Sequence, residues 1–118
     1  MRCSSLIGIA SLLLVLGAGT AHAHAFLDHA EPRVGNKVAS PPREVRLYFT
    51  QKLEPAFSSV TVTDPSGQRV DAGKARVSGN QISVSVKGGG VGTYHVHWHV
   101  LSADTHTTDG SFTFQVGP

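Results

Sequence analysis

Histidine is the residue type best suited to do chemistry in this 118-residue chain, and its seven copies fall into groups. The groups are an aspartate–histidine pair two positions apart, three alternating residues, and three residues near the N-terminus: Asp104 and His106; His95, His97 and His99; and His22, His24 and His29. Imidazole is the commonest metal ligand among side chains, and a neighbouring carboxylate adds an anionic oxygen donor. Metal binding is therefore the first chemistry to consider, if the fold brings some of these side chains together.

The first 23 residues have the three-part layout of a secretory signal peptide. Arg2 supplies a positive charge, an apolar run extends from residue 6 to residue 19, and Ala21-His22-Ala23 has small residues at the positions that signal peptidase reads. A membrane anchor is the alternative, but a spanning helix needs about 20 apolar residues and this run is shorter. We therefore expect residues 1–23 to be cleaved and residues 24–118 to be exported as one domain.

Cleavage after Ala23 would make His24 the first residue of the mature chain. Its freed α-amine and its ring Nδ1 can then close a chelate ring around a metal, once the amine, whose usual pKa is about 7.7–8.0, loses its proton. Nitrogen donors arranged in a plane suit Cu(II) above other divalent ions. The only cysteine and the only methionine, Cys3 and Met1, leave with the leader, so the mature chain forms no disulfide.

Asp104 and His106 are candidates to complete such a site. In an extended segment, residues two apart point to the same side of the chain, so this carboxylate and imidazole could both reach a metal held by His24. A polar turn between two strands would also account for residues 103–110 (ADTHTTDG).

The three alternating histidines, His95, His97 and His99, are predicted to line the solvent side of a strand at a spacing of about 6.6 Å. Two such rings can bind Zn(II), Ni(II) or Cu(II) as a second site. One ring could instead support the His24 site from beneath, or the face could simply be wet. His29 is expected at the surface.

Five stretches alternate apolar and polar residues with a period of two, which is typical of strands with one buried face. Their apolar positions are Val45, Leu47 and Phe49; Val60 and Val62; Ile82, Val84 and Val86; Tyr94, Val96, Trp98 and Val100; and Phe112, Phe114 and Val116. Turn sequences rich in Gly, Pro, Ser, Asn and Asp separate the stretches. The pattern predicts an all-β sandwich or Greek-key barrel with Tyr94 and Trp98 in its core.

The charge pattern excludes some partners. Without Arg2, the chain has nine Lys and Arg residues against eight Asp and Glu residues, and the basic residues form no cluster. Nucleic acid and anionic lipid are therefore not expected as partners.

Four separated motifs make the mature chain resemble, nearly end to end, the copper-resistance protein C (CopC) family of periplasmic copper carriers. They are HAFLDHAEPRVG from residue 24, VRLYFTQKL from residue 45, GTYHVHWHVLSADTH from residue 92 and GSFTFQV from residue 110. The resemblance implies a monomeric, seven-stranded, cupredoxin-like (Ig-like) Greek-key β-barrel or sandwich. It also implies one Cu(II) ion per chain, bound by His24 with its amine, Asp104 and His106. The implied function is copper buffering, delivery or resistance without catalysis, with an inner-membrane copper permease of the CopD type as partner.

Three features depart from the family's pattern. Some members carry Met-rich segments that form a Cu(I) site, whereas residues 24–118 contain neither Met nor Cys, so we expect a Cu(II)-only protein. Gln51 stands where relatives often have Glu, so a supporting carboxylate is replaced by an amide that can still orient a ligand or water. Thr107 stands where Pro often follows the histidine, which predicts a less rigid loop.

Two other functions fit parts of the sequence. A histidine brace, formed by an N-terminal histidine and a second histidine, also occurs in copper monooxygenases, which need an exchangeable position for oxygen. An adhesion-type β-sandwich without metal would explain the strands and leave His24 and the Asp104–His106 pair as coincidences. Prompt peroxide formation on adding copper and a reductant would favour the enzyme. An extra residue before His24 would leave copper binding unchanged if the domain is an inert sandwich.

Overall fold

A computed structural model describes residues 26–118, which form two four-stranded β-sheets around a shared apolar core. The predicted signal peptide, its cleavage site and His24 lie outside the described residues. The elements are β1 (Leu27–Glu31), β2 (Lys37–Val38), β3 (Glu44–Phe49), a 3₁₀ helix (Pro55–Phe57), β4 (Ser59–Thr63), β5 (Asp71–Ser78), β6 (Gln81–Val86), β7 (Gly92–Leu101) and β8 (Thr107–Val116). Within residues 26–118, no helix is long and apolar enough to cross a membrane.

The strand order is β1-β3-β6-β5 in the first sheet and β2-β8-β7-β4 in the second. Neighbouring strands are antiparallel except for β2 and β8, which pair in parallel. Each sheet keeps two edge strands, so the domain is an open sandwich rather than a closed barrel. The predicted all-β, cupredoxin-like fold is confirmed, and the two-residue β2 brings the described strands to eight.

The period-two pattern predicted the core correctly. Every apolar position of the five alternating stretches is buried except Trp98, which is partly buried and packs against the core. The Trp98 ring lies over Gly110, its neighbour on β8, where an added Cβ would collide with Trp98 Cζ2. A side chain at position 110 would therefore displace the indole.

Three of the described strands were not marked by the alternation, and two of them, β1 and β5, form the edges of the first sheet. In β1 only Ala30 is buried, and β5 has no buried residue. The register of β5 also shifts between Ala72 and Arg76, where Gly73 has a φ of 76°. Because these two edge strands bury only one residue between them, they lack the alternation of buried and exposed residues that marks the inner strands.

Residues 50–58, which we name the crossing segment, carry the chain from β3 in the first sheet to β4 in the second. The Leu53 amide donates to the carbonyl of Gly79, in the turn between β5 and β6 (2.9 Å). The Glu54 amide donates to the carbonyl of Leu101, at the end of β7 (2.8 Å). The crossing segment is therefore hydrogen-bonded to both sheets.

Asp71, the first residue of β5, links the two sheets at another point. Its Oδ1 accepts the Val62 amide of β4 (2.9 Å), and Arg69 donates to both oxygens, from Nε (3.0 Å) and Nη2 (2.6 Å). The side chain is only 5% exposed. Arg69 is the main reason that the pKa of Asp71 lies below its usual range; burial opposes this and the Val62 amide adds to it.

Replacing Asp71 with Asn should lower the free energy of unfolding at neutral pH by about 2 kcal/mol, since hydrogen bonds to charged groups contribute about 1.5–3 kcal/mol. A lowered pKa in the folded state gives stability that is present above the unfolded pKa, about 3.9, and is lost as the pH falls through the folded pKa. Urea unfolding of both proteins at neutral and acid pH tests this. The matched control is Asp28→Asn, whose exposed carboxylate should contribute less than about 1 kcal/mol. A D71N deficit of equal size at every pH would contradict the electrostatic explanation.

Candidate metal centre

Asp104 and His106 lie together in the loop between β7 and β8. His106 Nδ1 is 3.4 Å from Asp104 Oδ1, and the side chains are 48% and 32% exposed. The segment is a turn and not an extended strand. The two predicted ligands are therefore neighbours, but the turn brings them together and not the alternation of a strand.

Ser102 stabilises this turn through hydrogen bonds of its backbone and of its hydroxyl. Its amide donates to the His106 carbonyl (2.9 Å), and its own carbonyl accepts the Thr105 amide (2.9 Å). Its hydroxyl, which is fully buried, contacts the Asp104 carboxylate and the His106 carbonyl (3.1 Å). Ser102 was not among the residues predicted from the sequence: Ser and Asp close together are typical of turns, but the burial that gives this hydroxyl its role is not visible in the sequence.

Thr105 takes the unusual backbone conformation that this turn needs. Its φ of 72° makes it the only non-glycine residue with a positive φ among residues 26–118. This conformation is unfavourable for a β-branched residue and persists only where surrounding contacts enforce it. Here the Ser102 hydrogen bonds on either side of Thr105 supply that constraint.

The carboxylate of the pair is electrostatically prepared to bind a cation. The Ser102 hydroxyl is the main cause that holds the pKa of Asp104 below its usual range, and His106 lowers it further, against a smaller opposing effect of burial. Asp104 is therefore ionised at neutral pH and can act as an anionic oxygen donor.

The crossing segment is hydrogen-bonded both to Phe26, the first described residue, and to the loop that contains Asp104. Phe26 and Thr50 exchange two hydrogen bonds: the Phe26 amide donates to Thr50 Oγ1 (3.0 Å), and the Thr50 amide donates to the Phe26 carbonyl (3.0 Å). Two residues further on, the Lys52 carbonyl accepts the amide of Ala103, which directly precedes Asp104 (2.9 Å). Phe26 and the Asp104 loop therefore lie at the same end of the sandwich.

Gln51, predicted as a supporting residue, lies on the crossing segment between these two attachment points and is half-buried. Its position is compatible with orienting a ligand from the side of Phe26 or of Ala103, and this role stays a prediction.

The other histidines lie elsewhere. His95, His97 and His99 are exposed on the outer face of the second sheet, as the alternation predicted. His29 is exposed on β1, stacks on Tyr48 with ring centroids 4.2 Å apart, and pairs with Asp28 (2.8 Å). Within residues 26–118, no three His, Cys, Asp or Glu side chains are already arranged to hold a metal ion. The Asp104–His106 pair therefore needs at least one donor from outside that range, or a rearrangement, to complete a site.

Comparison with known proteins gives a consistent result. The CopC domain family model matches residues 27–117. Copper resistance protein C from Xanthomonas campestris pv. juglandis is 37% identical over 110 residues, which cover 86% of this chain and 86% of that protein. Protein YobA from Escherichia coli (strain K12) is 33% identical over 101 residues, which cover 80% of this chain and 79% of YobA. The crystal structure of CopC from Methylosinus trichosporium OB3b has a TM-score of 0.74 and 34% identity to this chain, covering 80% of this chain and 95% of that chain.

Replacing Ser102 with Ala should raise the pKa of Asp104 toward its usual value, because the hydroxyl is the main group that lowers it. The substitution should also lower the free energy of unfolding by about 1 kcal/mol, through loss of a buried hydrogen bond. A carboxyl-carbon NMR titration and urea unfolding measure the two effects. Ser111→Ala, at an exposed serine on β8, is the matched control and should change neither. An unchanged Asp104 titration in S102A would show that the serine does not prepare the carboxylate.

Proposed function

The chain belongs to the CopC family, and we propose that it is a periplasmic protein that binds one Cu(II) ion and buffers or delivers copper without catalysing a reaction. The family match extends over nearly all of the described residues. The name of the Xanthomonas relative, Copper resistance protein C, supports copper as the metal.

The proposed ligands are His24, Asp104 and His106. Once residues 1–23 are removed, His24 contributes its α-amine and its ring, His106 contributes a second imidazole, and Asp104 contributes an anionic oxygen. Three nitrogens and one carboxylate oxygen match the preference of Cu(II) for a nitrogen-rich, tetragonal arrangement. Cu(I) would prefer sulfur donors, and residues 24–118 contain neither Met nor Cys.

The register of β1 against the chain after β3 is the observation that carries this ligand set. Leu27 lies opposite Phe49, and Phe26 is hydrogen-bonded to Thr50, so the two chains run antiparallel up to the first described residue. Followed from Phe26 towards the N-terminus, the chain is therefore directed toward Lys52, whose carbonyl accepts the Ala103 amide. His24 is two residues before Phe26, a reach of about 7 Å at 3.3–3.6 Å per extended residue. That reach and direction support a meeting of His24 with Asp104 and His106.

We propose a carrier rather than an enzyme because of the carboxylate. An oxygen-activating copper site keeps a position open for exchange. The ionised Asp104, held by Ser102 beside His106, would compete for such a position. By resemblance, the partner that takes or supplies copper is an inner-membrane permease of the CopD type, and the carrier acts as a monomer.

The ligand set is tested by the Cu(II) affinity of a chain that begins at His24 and of a chain with one glycine added before His24. The added residue removes the amine–imidazole chelate, so we expect Cu(II) binding to weaken by more than about 100-fold, beyond the 10- to 100-fold effect of losing a supporting group. Competitive titration against a chromophoric Cu(II) chelator measures this. His106→Ala should weaken binding comparably.

His29→Ala is the matched control, since His29 is a half-exposed histidine on β1 that pairs with Asp28. It should leave the Cu(II) affinity unchanged. Equal affinity of the glycine-extended and the native chain would remove His24 from the ligand set.

A separate assay tests the absence of catalysis. The copper-loaded protein, mixed with ascorbate, should form peroxide more slowly than the same concentration of free Cu(II), because the ligands hold the ion in the Cu(II) state. Faster peroxide formation than free Cu(II) would favour the monooxygenase-like alternative.

A further inference from the structure

The outer face of the second sheet holds a second group of donor side chains, which the proposed copper site does not use. We name His97, His99 and Asp109 the β7–β8 cluster. His99 Nδ1 lies 2.8 Å from Asp109 Oδ1, and His97 Nε2 lies 3.9 Å from the same oxygen. One carboxylate oxygen is thus approached by two imidazole nitrogens.

Strand register explains this convergence. His99 on β7 is directly opposite Asp109 on β8, and His97 is opposite Ser111. Asp109 is therefore directly opposite His99 and diagonal to His97 on the same face of the sheet. Side chains of this length can span both separations. The arrangement follows from the backbone pairing and does not depend on a loop.

The charge environment distinguishes this cluster from an ordinary surface ion pair. None of the three neighbouring strands β4, β7 and β8 carries a lysine or an arginine. On these strands the charged or ionisable neighbours of Asp109 are histidines, whose neutral rings bind metals. The carboxylate thus has no lysine or arginine on these strands to compete with a metal for its oxygens.

We propose that the β7–β8 cluster is a second metal site, which takes Zn(II) or a similar divalent ion through His97, His99 and Asp109, with water in the remaining position. Zinc accepts histidine nitrogen and carboxylate oxygen at about 2.0–2.2 Å in tetrahedral geometry, so its donor atoms lie about 3.3 Å apart. The two measured distances, 2.8 and 3.9 Å, lie on either side of that separation.

The cluster is not a complete metal site in its hydrogen-bonded arrangement. Binding needs small rotations of the side chains, and these are unhindered because the side chains of His97, His99 and Asp109 are 58%, 50% and 59% exposed. The site is therefore expected to form on metal binding and to be weaker than the proposed copper site.

His95 is a natural control within the same strand. It shares the exposed face with His97 and His99, but its neighbours across the two adjacent strands are Thr113 and Thr63, neither of which carries a carboxylate. Metal binding by a generic row of histidines would involve His95, whereas binding by the β7–β8 cluster would not.

The test is a titration of the chain that begins at His24 with Zn(II), followed by the NMR resonances of each histidine ring. We expect the rings of His97 and His99 to respond together, with one Zn(II) bound at this face. His99→Ala and Asp109→Asn should weaken this event by about 10- to 100-fold. His95→Ala should change it by less than about twofold, as for a surface substitution away from the site.

A substitution at the proposed copper site distinguishes a failure of the zinc proposal from a failure of the copper proposal. His106→Ala removes a proposed copper ligand and should leave the Zn(II) response of His97 and His99 within about twofold. A response confined to His106, loss of the response in H106A, or equal Zn(II) binding by D109N and the native chain would each overturn the proposal. Circular dichroism of each variant checks that the fold is retained.

Discussion

Backbone hydrogen bonds along the crossing segment hold together the parts of the chain on which the candidate copper site depends. At Thr50 the segment is bonded to Phe26, and at Lys52 it is bonded to Ala103. At Leu53 and Glu54 it is bonded to the turns or ends of both sheets. A connection between two sheets is usually a variable surface feature. Here its backbone determines how far the beginning of the domain lies from the Asp104 loop.

The two halves of the proposed site differ in what positions them. The Asp104–His106 half is built into the fold by the buried Ser102, which bonds to the turn on both sides and lowers the pKa of the carboxylate. The His24 half would be supplied by proteolysis, which exposes an amine that an internal residue lacks. A site of this kind couples metal binding to export, because an uncleaved chain has no free amine at His24 and so no chelate ring.

Period-two alternation was sufficient to predict the inner strands and the core, because those strands bury one face and expose the other. It failed for β1 and β5, since these edge strands bury only one residue between them and β5 is interrupted at Gly73. The spacing of Asp104 and His106 indicated that they would be neighbours, but the cause is a turn with a positive φ at Thr105, which composition alone does not predict for a threonine. Ser102 was missed because its role depends on burial. The pairing of Asp109 with His99 was missed because cross-strand register is set by the whole β7–β8 hairpin and not by either strand alone.

The mass of the exported protein, measured under native conditions with its bound metal counted, tests the central claim most directly. We predict a polypeptide that begins at His24 and retains one copper ion after exposure to Cu(II). A polypeptide that begins at another residue, or one that begins at His24 and remains free of copper, would contradict the proposed site.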